Sequence, residues 1–212
     1  MINTMPKTQD CRFCQIMDGH AVHGMSDLPF GENPEFVSMA SIGSLIEGWS
    51  LVIPRKHCLS LRDYYGTATF CHYVQELVQK VEAEYGPAVI FEHGSNHCGS
   101  LTGCGTDHAH LHIVPQQFPL AMMLAKSGIS EWHQVRASGI RPLADGGEYL
   151  FFSVNASASD PIGFFKKVDH PSSQFFRRAI AAVIGMTEVS DYKKYPFLDT
   201  SVRTQERLAK AV

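Results

Sequence analysis

The sequence predicts an α+β fold: an antiparallel sheet of about five strands with one main helix packed on it. Three observations lead there. Segments with the period-2 pattern of strands stand on both sides of a single long segment with helical period. The most regular of them, HAHLHIVP (108–115), alternates strictly and is stopped by Pro115. The order strand, strand, long helix, strand, strand, followed by further elements, is that of an α+β domain.

In chain order, residues 11–24 hold a Cys-x-x-Cys and a short helical segment, QIMDG, before Gly31, Asn33 and Pro34 mark a turn. EFVSMA (35–40) and WSLVIP (49–54) are β-branched and apolar enough for strands, joined by a Gly-containing loop. TATFCHYVQELVQKVEAEY (67–85) places apolar side chains at 70, 73, 74, 77, 78 and 81, a helical stripe ended by Gly86-Pro87. AVIFEHG (88–94) reads as a strand and SNHCGSLTGCGTD as a Gly-rich loop. Beyond residue 118 the pattern loosens. FPLAMMLAKSG reads as a short helix, GEYLFFSVN (147–155) as a strand with GFFKKV (163–168) as its partner, SSQFFRRAIAAVIG (172–185) as an amphipathic helix, and TSVRTQERLAKAV (200–212) as a terminal helix. Two units are expected: a core over 1–118, including the N-terminal Cys-x-x-Cys segment, and a C-terminal extension over 119–212 packed on that core.

The 212 residues are enough to bury a core without disulfides, and 44% hydrophobic with 18% charged residues is a globular balance. A net charge of -3 with no run of like charge argues against wrapping of long nucleic acid. No stretch approaches the apolar length of a membrane span, and MINTMPKTQDCRFC has no apolar signal-peptide core. The expected location is cytoplasmic, with Cys11, Cys14, Cys58, Cys71, Cys98 and Cys104 mostly reduced.

Histidine is the unusual residue, with 11 copies. His108, His110 and His112 share one face of their strand, while Ala109, Leu111 and Ile113 take the other, which a core would use. The plainer reading of such a face is a metal-binding or merely polar surface. The chemical reading is nucleophilic: an imidazole can attack phosphorus and carry a covalent nucleotidyl group. Its other ring nitrogen must then donate to an acceptor, so that the attacking nitrogen is free. A neighbouring imidazole can donate to the phosphoryl oxygens, and Gly103-Cys104-Gly105 can bring backbone N–H groups close to phosphate.

GTDHAHLHIVP resembles the signature of the histidine triad (HIT) superfamily, in which three histidines alternate with apolar residues, and WSLVIPRKH upstream resembles its preceding strand and Pro-basic-basic-His segment. The resemblance covers roughly residues 11–118. It implies His110 as nucleophile, His112 as phosphate ligand, and activity as a hydrolase or transferase on nucleoside phosphoramidates, dinucleoside polyphosphates or nucleotide sugars. Many members are homodimers, so a homodimer is expected. Where many members carry a Gly-Gln-Ser or Gly-Gln-Thr whose hydroxyl assists the leaving group, this chain has Gly-Cys-Gly-Thr, so Thr106 would serve. Ser41 stands where an Asp or Asn often holds the ribose. FEHG (91–94), followed by Asn96 and His97, resembles a subgroup with an elaborated C-terminal part. Asn96 and His97 are read as substrate-binding, and Glu92 and His93 as holding either supporting or purely structural hydrogen bonds.

Some superfamily members bind structural zinc through an N-terminal Cys-x-x-Cys, the His after the Pro-basic-basic segment and the first triad histidine. Here these are Cys11, Cys14, His57 and His108, the expected zinc ligands. Free thiols at 11 and 14, or Cys98 and Cys104 as rival ligands, are the alternatives; Cys58 and Cys71 read as core. After residue 118 no motif carries a mechanism, although Gln174, Arg177 and Arg178 lie at a helical spacing that can turn one of them toward the site. A non-catalytic nucleotide- or RNA-binding scaffold is the competing function.

Overall fold

A computed structural model describes residues 10–115 and 131–211. The architecture is α+β, with one antiparallel sheet of eight strands. The strands are β1 (Gly31–Glu32), β2 (Phe36–Ala40), β3 (Ser50–Pro54), β4 (Val89–Gly94), β5 (Leu111–Val114), β6 (His133–Arg136), β7 (Tyr149–Ser153) and β8 (Ile162–Lys167). Their spatial order is β1-β2-β3-β5-β4-β7-β8-β6. The expected count of about five is corrected to eight. β2, β3, β5 and β4 are the four strands expected in the core, and β7, β8 and β6 continue the sheet beyond β4, with Phe91 opposite Phe152 and Phe151 opposite Phe165. The sequence reading caught β7 and β8 but not the two-residue β1 or the polar β6, neither of which buries enough apolar surface to show a period.

The main helix, α2 (Ala68–Tyr85), buries Phe70, Tyr73, Val74, Leu77, Val78 and Val81, the stripe its period predicts, and ends at Gly86 with φ +90°. It covers one face of the sheet, made of Phe36, Val52, Ile90, Leu111, Ile113 and Phe151. The opposite face has two helical covers. At one end α1 (Arg12–Met17) packs Phe13 and Ile16 on Val37, Met39, Leu51 and Ile53. At the other, α4 (Phe175–Val183) packs Phe176, Ala179 and Ile180 on Trp49, Phe91, Leu150 and Phe152. Between them the sheet is open, and there the site forms. A short α3 (Ile140–Ala144) precedes β7. The terminal helix α5 (Leu198–Lys210) ties down the β2–β3 loop: the Ser201 hydroxyl donates to the Ser41 carbonyl at 2.7 Å, and the Gly48 N–H donates to Thr204 Oγ1 at 2.8 Å. The expected helix in FPLAMMLAKSG lies outside the described residues.

The histidine strand is shorter than its alternation suggests. Pairing starts at Leu111, opposite Val52. Two positions beyond the ladder, Pro54 would face Ala109 and has no N–H to offer. The Ala109 N–H instead donates to the Cys58 carbonyl at 2.7 Å. Residues 108–110 are therefore a lead-in held by other bonds, with Ala109 still in the core.

Candidate active site and metal-binding cluster

The open part of the sheet holds a cavity of ≈ 320 Å³. His110 and His112 form its floor, 4.6 Å apart between ring centroids. Phe13 of α1 stands edge-on to His110 at 5.4 Å, while Phe91 stacks on His112 at 4.4 Å, so both rings are clamped by packing.

Hydrogen bonds define the role of each ring nitrogen. His110 Nδ1 lies 2.9 Å from the His108 carbonyl, which can only accept, so Nδ1 carries the proton and Nε2 keeps a free lone pair. His112 is the reverse. The Trp49 indole N–H donates to His112 Nδ1 at 2.9 Å, which leaves the His112 proton on Nε2. One ring thus presents a nucleophile and its neighbour a donor. Enclosure by the protein disfavours the charged form of both: it pushes His110 down to about 4 and His112 well below the usual histidine range, with His110 adding to the effect on His112. His93, on the same face of β4, is pushed down to about 3 by burial and accepts the Phe176 N–H of α4.

The Gly-rich loop closes one side. Cys104 (φ 60°) and Gly105 (φ +77°) both adopt left-handed conformations, the second of which suits glycine. The Cys104 and Thr106 N–H groups are engaged by the Leu101 and Gly103 carbonyls, so Gly105 is the member of that trio whose N–H has no partner among the described residues. The C-terminal segment closes the other side with Gln174, Arg177 and Tyr192. The Tyr192 hydroxyl donates to the Cys104 carbonyl at 3.2 Å, and Gly43 N–H donates to the Pro196 carbonyl.

Of the residues singled out from sequence, His110, His112, Thr106, Ser41, Cys104 and Gly105 share this cavity. Gly103 lies behind the loop, its Cα side against Ser95 and Thr106. Asn96 and His97 point elsewhere: both are exposed, with Asn96 donating to the Gly146 carbonyl and His97 bonded to Asn96 Oδ1 and 3.4 Å from Glu148. Glu92 is buried on the α2 face, accepting from Leu61 N–H and Tyr149 Oη, both at 2.6 Å. Sequence reasoning missed Trp49, Arg12, His23 and Tyr192. Trp49 was accessible in principle, since it shares the alternation of Leu51 and Ile53, the cavity side of β3. Arg12 opens the six-residue α1, too short to show a period, and His23 and Tyr192 lie in irregular segments.

Beneath the cavity, Cys11, Cys14, His57 and His108 are all buried, with ligand atoms within 4.8 Å of one another. Cys11 Sγ is 3.3 Å from His108 Nδ1, and Cys14 Sγ is 3.3 Å from His57 Nδ1 and 3.6 Å from His108 Nδ1. A tetrahedron with ordinary zinc–sulfur and zinc–nitrogen bonds has S···N edges of about 3.5 Å, so the donor set fits a metal ion such as zinc. His108 Nε2 donates to the Pro54 carbonyl at 2.8 Å, which frees Nδ1 to face the two sulfurs, the orienting bond that metal-ligating histidines use. Without a cation, burial pushes the Cys11 thiol up to about 11, an environment that favours neutral thiols over the thiolates a metal would stabilise. Cys98 is exposed and Cys104 lines the cavity, so neither joins this cluster.

No family model matches the chain. An uncharacterized HIT-like protein of Mycoplasma genitalium is 28% identical over 111 residues, which are 51% of this chain and 74% of that protein. An uncharacterized 16.1 kDa HIT-like protein of Mycoplasma pneumoniae is 25% identical over 146 residues, 66% of this chain and 90% of that one. A solved histidine triad protein from Clostridium difficile aligns with 53% of this chain and 96% of its own at 24% identity and a TM-score of 0.37. Over half to two thirds of its length, then, the chain is similar in sequence to HIT-like proteins.

Proposed function

We propose that this protein is a histidine triad enzyme, a nucleotide hydrolase or nucleotidyl transferase that cleaves at an α-phosphate through a covalent nucleotidyl-His110 intermediate. The observation that carries the reading is the opposed pair of tautomers: His110 with a free Nε2, His112 with a proton on Nε2, side by side on one cavity floor.

In the first step the His110 Nε2 lone pair attacks the α-phosphorus. A P–N bond forms, and the bond from phosphorus to the leaving group breaks, its electron pair departing with that group. His112 Nε2–H and the Gly105 N–H donate to the non-bridging oxygens, where charge builds up, and the proton on His110 stays on Nδ1, hydrogen-bonded to the His108 carbonyl. The Thr106 hydroxyl, on the same wall, serves the leaving atom. In the second step water or another acceptor attacks phosphorus and gives up its proton, and the P–N electron pair returns to Nε2. Hydrolysis and transfer differ only in that acceptor.

Cys11, Cys14, His57 and His108 would hold a structural zinc, which when bound gives the thiolates and imidazoles a common centre and ties α1 to the histidine strand. Residues 119–212 would form an extension on a 1–118 core; the described part, 131–211, adds β7 to β4 and lines the cavity with Gln174, Arg177 and Tyr192. Ser41 would face the ribose. A homodimer formed by extending the sheet would have to use β1 or β6, because β7 already covers β4. No helix among the described residues is long and apolar enough to cross a membrane. All six cysteines are free thiols, which suits a reducing compartment such as the cytoplasm.

Turnover of a panel of nucleoside phosphoramidates, dinucleoside polyphosphates and nucleotide sugars, by wild type and His110→Ala, tests the function. The expected result is turnover of at least one class by wild type and a loss of about four orders of magnitude in the variant. Equal turnover by the two proteins would remove His110 from the mechanism.

A further inference from the structure

The cavity contains two guanidinium groups, Arg12 and Arg177, and no carboxylate among its lining residues. The two cations are not equivalent. Arg12 is neutralised at once: its Nη2 pairs with the buried Asp27, whose carboxylate also collects the Val22 and His23 N–H groups at 2.8 and 2.7 Å. Arg177 is 6% exposed, and among the described residues no carboxylate oxygen lies within ion-pair distance of it. Its Nε donates to the Ser190 carbonyl and its Nη2 to the Val189 carbonyl at 3.2 Å, which hold the planar group by one edge. Asp191 acts on it electrostatically but from beyond ion-pair distance, with its Oδ1 accepting from the Gln174 side chain and the Lys193 N–H at 3.0 and 3.1 Å. The remaining nitrogen, Nη1, faces the β2–β3 loop, 3.3 Å from where a Cβ on Gly43 would sit.

A buried cation whose direct partners are neutral carbonyls, with its acid beyond ion-pair distance, is stabilised further when a closer counter-charge arrives. Its surroundings show where that charge would come from. Arg177 lies in the first turn of α4, whose N-terminal N–H groups already point at cavity groups, Gln174 N–H at Cys104 Sγ and Phe176 N–H at His93. It also acts electrostatically on His112, the proposed phosphate donor. A guanidinium fixed along one edge in the wall of the cavity that also holds His112 is the arrangement that suits a second phosphate.

We infer that Arg177 forms an anion subsite for the phosphate adjacent to the reacting one, so that the site selects nucleotides with at least two linked phosphates over phosphoramidates with neutral leaving groups. This rests on the nucleotide reading above and adds the substrate class to it. Arg177 acts here in binding and specificity; it does not transfer a proton.

The test is calorimetric binding to the full-length, metal-replete protein. The probes are the 5′-monophosphates of adenosine, guanosine, cytidine and uridine and their uncleavable α,β-methylene diphosphates. Wild type, Arg177→Met and Arg177→Lys are compared at one ionic strength, with thermal midpoints recorded for each. Wild type should bind the best diphosphate at least about 10-fold more tightly than its monophosphate, the size of one good charge-assisted contact. Arg177→Met should abolish that ratio and leave the monophosphate within about twofold. Arg177→Lys, which keeps the charge and replaces a minimum of structure, should retain part of the ratio even if the Met variant folds poorly. A purely structural Arg177 would weaken both ligands together and leave the ratio intact. No preference in wild type, or an unchanged ratio in both variants, overturns the subsite and leaves the nucleotide reading standing. Failure of wild type to bind any of the eight probes overturns that reading itself.

Discussion

The two halves of the chain contribute to one cavity in different ways. Residues up to 115 supply the histidines from a single strand and its lead-in: His108 to the Cys/His cluster, His110 and His112 to the cavity floor where the proposed chemistry takes place. Residues from 131 supply Gln174, Arg177 and Tyr192 from a helix start, its first turn and a distant loop. The first contribution needs fixed spacing, because two functions must alternate along one backbone, and spacing is visible in sequence. The second needs only that three side chains arrive at one place, which the extended sheet and α4 arrange. Chemistry is therefore encoded locally here, and the shape and charge of the cavity are encoded by long-range packing.

The sharpest way to test the local half is at the metal cluster. Cys14→Ser should lower bound metal to well below one per chain and cost on the order of 4 kcal/mol, a fall of about 10 °C in thermal midpoint for a chain of this size. Activity should fall with it, since His108 also provides the carbonyl that holds His110 Nδ1. Metal content and midpoint equal to wild type would separate the cluster from the catalytic strand.

Glu92 probes the seam between the halves, because it joins the Leu61 N–H to the Tyr149 hydroxyl of β7. Tyr65, Tyr149, Arg62 and Cys58 surround it, and burial pushes its carboxyl up to about 7 from an ordinary value of 4.5. The native state thus holds this proton more tightly than the unfolded chain. The resulting stability is fully present below about pH 4.5 and is lost as pH rises to about 7, by at most about 3 kcal/mol. Glu92→Gln should flatten that part of a denaturant-measured stability profile. A profile between pH 4.5 and 7 identical to wild type would show that the seam carboxylate is ionised throughout.

The smallest expected effect is the most specific. Trp49→Phe keeps the aromatic wall beside Phe91 but removes the N–H that holds the His112 tautomer. A loss of about 10-fold in kcat/KM, with little change in thermal midpoint, is expected from one orienting hydrogen bond. A change in stability with unaltered kinetics would reduce Trp49 to packing.

What sequence could and could not show follows the same division. The long helix was legible down to its six buried positions, because an 18-residue amphipathic stripe has no competing interpretation. The four residues of the buried Cys/His cluster were legible by spacing and resemblance. The length of the histidine strand was not, since Pro54 acts on it from across the sheet rather than from within it. Asn96 and His97 stand near the triad in sequence and still face away, because the loop from Ser95 turns toward Gly146 after β4 ends. Arg177 showed only a helical spacing; that no described carboxylate comes within ion-pair distance of it is a property of the folded surroundings.

The most direct test of the central claim is capture of the intermediate. Wild type, quenched in base within the first turnovers on a cleavable nucleotide, is digested and its peptides weighed. Phosphorus bound to imidazole nitrogen survives base and is released by acid, so the adduct has a chemical signature. The prediction is a mass increase of one nucleoside monophosphate on the peptide containing residues 108–115, assigned by fragmentation to His110, lost in acid and absent in His110→Ala. Turnover with an adduct on any other residue, or with none at any quench time while His110→Ala remains active, would contradict it.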